Sequence, residues 1–286
     1  MTGLMTALRA ELFIALRHYG NRIAILAPCL IVAAQLALTR LGEAGQAARD
    51  ALLDDSLFGF DGPQVTAYGY FVDGMVTGLT LLVLILIVLA AHSFAFDRDT
   101  GLIRHLLIRR VSRPSVIVAK LAQLHLTAIL ALVLLVATTW FVSGLFWEFG
   151  PVVEDGFELI SEREIRAEIL FGLFLALLPL PAVIAYGLLI SVLTSSTTQA
   201  VTAALGINLA LDVFKVSLGD SAHLIFVNFQ PALVDRSYLG EVSRIVRGFS
   251  DVLIDERLLQ LNLWVPLPQM LALALVTLLF VRRRTV

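Results

Sequence analysis

Charge is scarce in this chain, and lysine is scarcer still. Asp, Glu, Lys and Arg make up 15% of its 286 residues, against about 25% in soluble globular domains. Only Lys120 and Lys215 are lysines, so arginine supplies almost all positive charge. With 58% hydrophobic residues, such a chain belongs in a bilayer. Its single cysteine, Cys29, excludes an intrachain disulfide. Leu26-Ala27-Pro28-Cys29 superficially looks like a lipoprotein cleavage box, but about six apolar residues after Arg22 make a poor signal core. Cys29 therefore reads as a small buried hydrophobe. Neither lysine follows a glycine, so no G-x-x-x-x-G-K-[ST] exists. The five histidines form no H-E-x-x-H and are too scattered for a metal cluster, and there is no G-x-S-x-G. A nucleotide site, a metal site and an enzymatic role on this chain are not expected, nor is a nucleic-acid partner.

Apolar runs supply what the charges do not. Six are long enough to cross a hydrocarbon core about 30 Å thick: 23–39, 74–96, 115–146, 169–193, 200–216 and 263–281. Before them, Leu4, Leu8, Leu12 and Leu16 recur at i, i+4, with Arg9, Glu11, Arg17 and His18 on other faces. That pattern predicts an amphipathic interfacial helix over 1–22. Pro179 and Pro181 predict a break in the fourth run. Trp140 and Trp147 mark the outer end of the third. The segment 217–262 is amphipathic and punctuated by Pro231 and Gly240, which predicts short outer helices or a surface-packed loop. The fold expected is all-α and polytopic, a single transmembrane domain over 1–286.

Orientation follows from arginine and lysine. Segments 1–22, 95–120 and the tail hold 12 of them, and the three other connections, together nearly twice as long, hold 8 along with 18 of the 23 acids. By the positive-inside rule both termini and the 97–120 stretch are cytoplasmic, in the inner membrane. That stretch, DRDTGLIRHLLIRRVSRPSVIVAK, carries six basic residues. As a helix over 97–111 it puts Leu102, Ile103, Leu106 and Leu107 on one face and Arg98, Arg104 and Arg109 elsewhere. Asp97 and Asp99 suit a helix N-terminus, Arg109, Arg110 and Arg113 a C-terminus, and Pro114 would end it.

Ionisable residues within the runs are few. Asn208 and Asp212 share a face of the fifth, with Lys215 three residues on. Two readings stand: a translocation-path or proton site, or a locally paired group at the outer boundary.

The 97–120 stretch resembles the segment between spans two and three of ABC-2-type permeases, the membrane subunits of a class of ATP-driven exporters. The matching residues are Asp97, Asp99, Thr100-Gly101-Leu102, Leu106-Leu107, Val111-Ser112-Arg113 and Lys120. Thr and Gly stand in reversed order, and Arg110 replaces a proline frequent in that family. The layout of an amphipathic N-terminal helix, six spans and a large outer segment is similar as well. The resemblance implies a permease that pairs with a second permease subunit, most simply as a homodimer, and docks on a separate ATP-binding cassette ATPase carrying the ATP and magnesium. Asp97, Arg98, Asp99, Thr100, Gly101, Leu102, Arg104, Leu106, Leu107, Arg110 and Arg113 would then form the ATPase-coupling helix. Against this stand an ion-coupled secondary transporter, with Asp212 as coupling residue, and a non-transport assembly protein.

Overall fold

The computed structural model describes residues 2–53, 65–102, 112–154, 157–235, 237–249 and 256–283. The chain is an all-α polytopic membrane protein with six helical stretches long and apolar enough to cross a membrane. Helix α1 spans Thr2–Arg17, α2 Tyr19–Leu53 and α3 Ala67–Asp99. Helix α4 spans Arg113–Phe146. A two-stranded antiparallel hairpin follows, β1 (Val152–Glu154) with β2 (Phe157–Ile160). Then come α5 (Glu162–Leu177), α6 (Leu180–Leu193) and α7 (Thr197–Phe214). Two 3-10 segments, Lys215–Leu224 and Phe226–Asn228, lead to α8 (Tyr238–Ile245), α9 (Glu256–Trp264) and α10 (Pro266–Arg283).

Helix α3 is the spine. It packs on α2, α4, α6, α7 and α8, and its side chains from Val72 through Met75, Leu79, Leu82, Leu86 and Ile87 to Ala90 are buried. Helix α6 is enclosed in the same way between α3, α7 and α10. The flanking helices instead turn apolar side chains outward: Leu126, Ile129, Val133 and Phe141 on α4, and Leu271, Leu275 and Leu279 on α10. In a bilayer those faces meet lipid tails at no cost.

Several ends differ from the sequence expectation, each for a local reason. Helix α2 runs on to Leu53, because the polar residues after Thr39 are good helix formers with no proline among them. Its 35 residues make a rod about 52 Å long, well beyond a core about 30 Å thick. The break in the fourth span falls at Leu178-Pro179, where expected. The hairpin was not foreseen; its strands of three and four residues are too short for an alternating pattern to register.

At the opposite end from the termini, the expected short helices are present among the described residues. Helix α8 is held on α3 by Ser243 and Arg247, both bonded to Asp73, and on α5 by the Tyr238 hydroxyl donating to Glu168 (2.6 Å). Trp140 stacks on Phe149 with ring centroids 4.3 Å apart, and Trp147 stacks on Tyr70 at 3.8 Å.

The two buried helices touch closely at one glycine. A Cβ on Gly187 of α6 would sit 2.7 Å from the Ala90 Cβ and 3.0 Å from the Ile87 carbonyl oxygen of α3. Gly187→Val is therefore expected to destabilise the protein by about 1–3 kcal/mol, the usual penalty for overpacking. Gly206→Val, on open space in α7, is the matched control. Thermal unfolding in detergent micelles compares them; equal midpoints would contradict the close packing.

Candidate functional site at the basic end of the bundle

The stretch singled out by sequence begins as the last turn of α3. Asp97, Arg98 and Asp99 close that helix instead of opening a new one. The acids were expected at a helix N-terminus and lie at a C-terminus, because the apolar run feeding α3 carries the helix through them. Thr100 caps the end, its N–H and hydroxyl both donating to the Phe96 carbonyl at 2.9 and 2.8 Å. Gly101 follows with φ +75°, the left-handed position after a helix that glycine occupies without a Cβ clash. Leu102 resumes helical conformation. Arg104, Leu106, Leu107 and Arg110 lie outside the described residues. Ser112 accepts from the Ser115 N–H (3.3 Å) and caps α4, so Arg113 and Pro114 open that helix. Pro114 was expected to end a helix; its missing N–H suits a first turn equally well.

Three consecutive residues reach three different neighbours. Asp97 is buried, and its Oδ2 lies 2.5 Å from the Nζ of Lys120 on α4. The same ammonium lies 3.0 Å from Oε1 of Glu11 on α1 and donates to Oε2 at 3.2 Å. Arg98 donates through Nη1 to the Thr194 carbonyl at the end of α6 (2.7 Å). Asp99 accepts from the backbone N–H and hydroxyl of Thr197, the first residue of α7, at 2.7 and 2.6 Å. A carboxylate there complements the positive end of α7.

Lys120 is 3% exposed, and Glu11 and Asp97 are each 7% exposed. Removing such charges from water costs several kcal/mol per ion unless they are paired. A cavity of about 110 Å³ adjoins them, lined among others by His18, His92, Asn21, Ser93 and Gln123. The His18 and His92 rings lie 6.0 Å apart between centroids. Glu11 was expected on a polar face of α1 and is instead turned inward. It is the sole acid in residues 1–22, the one signal that could have marked it. Thr194 and Thr197 carried no signal beyond lying in a short uncharged turn.

Asn208 and Asp212 are brought together at the far end of α7, both buried. Asn208 Oδ1 accepts from Gln230 (3.2 Å). Asp212 Oδ1 lies 2.8 Å from Lys215 Nζ, and its Oδ2 accepts from the N–H groups of Leu233 and Val234 at 3.1 and 3.3 Å. The void beside them is about 10 Å³, room for about one water at most. Their bonds hold the 230–234 segment against α7, which is the locally paired arrangement. Among the described residues no group of three or more His, Cys, Asp or Glu is arranged to hold a metal.

The chain belongs to the family described as a protein of unknown function (DUF2705), whose model matches residues 56–235. The matched stretch contains all of α3, α4 and the connection between them, together with Asn208 and Asp212. No curated protein and no solved structure matches the chain.

Burial pushes the Glu11 carboxyl above its ordinary value; Lys120 opposes that rise and Asp97 adds to it. A carboxyl raised in the docked state holds its proton more tightly there than when α1 is released. Docking of α1 is thus strongest below the ordinary value of 4.5 and weakens as pH rises through the raised one. Hydrogen exchange of α1, corrected for intrinsic rates, is expected to quicken over that window, and Glu11→Gln to flatten the profile. Lys120→Met leaves two facing carboxylates without their cation and is expected to cost about 3–5 kcal/mol in thermal unfolding.

Proposed function

We propose that this chain is the membrane-spanning permease subunit of an ATP-binding cassette exporter. It pairs with a second permease subunit and docks, through the connection between α3 and α4, on a separate ATPase that holds the ATP and magnesium. The observation that carries this reading is the ion pair between Asp97 and Lys120 at one end of a six-span bundle. These are the acidic and lysine positions of the pattern resembling ABC-2-type permeases, 23 residues apart in sequence. Their contact brings the two ends of the stretch together at one end of the bundle. The arginine-rich ends of the chain lie on the same side, which is the cytoplasmic side by the positive-inside rule. ATP then acts on the partner, and this chain converts closure of the ATPase into movement of its spans.

An ion-coupled carrier would need an ionisable group free to exchange its cation. Asp212, the candidate, already has Lys215 and two backbone N–H groups. That favours the ATP-driven reading.

Affinity purification of the tagged chain, expressed from its native locus, is expected to recover an ATP-binding cassette ATPase. Leu107→Arg is expected to abolish that recovery with membrane insertion intact. Gly101→Pro is expected to do the same, because proline holds φ near about −65° and Gly101 requires +75°. Recovery of the ATPase undiminished by both changes would remove the connection from the contact.

A further inference from the structure

We infer that Asp97, Arg98 and Asp99 are positioning residues that pass motion of the α3–α4 connection into the spans, and are not themselves contacts for the ATPase. The inference rests on the permease reading above. Successive residues of a helix are turned by about 100°, so three in a row sample most of the circumference. Here every one of the three heads finds a partner within the bundle. Asp97 is buried against Lys120 and Glu11. The Arg98 side chain is 17% exposed and binds the last turn of α6. Asp99 spends one carboxylate oxygen on the N–H and hydroxyl of Thr197. Asp97 and Arg98 are thus committed within the bundle; Asp99 is exposed, its second oxygen 3.7 Å from Arg98 Nε, and its head is held by Thr197.

What these contacts do is join helices. One turn of α3 is tied to α1, α4, the end of α6 and the start of α7 by bonds of 2.5 to 3.2 Å. A turn further in, the Ala95 N–H donates to the Ser191 hydroxyl of α6 (2.9 Å), reinforcing the same junction. Immediately beyond it come Thr100 and the left-handed Gly101, which end α3. A push on the connection reaches Thr100 first and then this turn. The Asp99–Thr197 contact carries it into α7 and the Arg98–Thr194 contact into α6. The Asp97–Lys120 pair carries it separately into α4. The two branches share no side chain, so they can be cut one at a time.

Asp99→Ala removes both bonds to Thr197, and Thr197→Val removes only the hydroxyl and keeps the backbone donor. Each variant is purified with its ATPase, and hydrogen exchange is followed with and without a non-hydrolysable ATP analogue. The first turns of α4 and α7 are the reporters. Both variants are expected to recover the ATPase as the wild type does and to keep the nucleotide-dependent change in α4. In Asp99→Ala the change in α7 is expected to be lost, and in Thr197→Val reduced. Loss of the ATPase from Asp99→Ala would make Asp99 a docking contact and overturn the inference. So would a nucleotide-dependent change in α7 equal to wild type in Asp99→Ala. If no ATPase accompanies even the wild-type chain, it is the permease reading that fails.

Discussion

An ammonium group taken out of water must bring its counter-charges with it, and the basic end of this molecule is arranged around that requirement. Lys120 sits almost fully buried where α1, α3 and α4 meet, and it is satisfied by one carboxylate from each of the other two helices. The pairing fixes the rotation of α3 about its own axis at this end. Once Asp97 faces α4, Arg98 and Asp99 must face other directions, and they meet the ends of α6 and α7. In this sense the junction is a consequence of one buried charge.

The other lysine obeys the same rule. Lys215 is 2% exposed and lies against Asp212 at the opposite end of the bundle. Both lysines of the chain are thus buried and paired with an aspartate. Arg22, Arg166 and Arg244 are exposed, while Arg98 is enclosed in the junction against the end of α6. A lysine ammonium is a compact, strongly hydrated point charge, so its burial here requires the paired carboxylates. The two ends differ in what the pair does. Asp212 and Lys215 tie a re-entering segment to its own helix, and Asp97 and Lys120 tie separate helices together.

Much of the candidate site was legible in part. The residues of the 97–120 stretch stood out by their charge between apolar runs, and Asp99 by its aptness for a helix N-terminus. It does serve one, but the helix is α7, nearly 100 residues on, and not its own. Sequence spacing describes faces within a helix and cannot say which distant terminus a side chain will meet. Glu11 illustrates the same limit. The i, i+4 leucines of α1 were visible, yet leucines such as Leu4 and Leu16 lie exposed while Glu11 turns inward. The lone acid was drawn in by a lysine 109 residues away.

Composition and hydrophobic period alone determined the class, the six spans and the break at Pro179. Those features depend on local chain length, apolar area and proline's missing donor, all of which are properties of a single segment. The tertiary structure decided which helix became the spine and that α3 extends through Asp99. It also decided that Asp97, Arg98 and Asp99 look into the bundle. These outcomes depend on pairing a buried charge with partners far away in sequence, and a paired charge in a low-dielectric interior overrides the preference of any isolated helix.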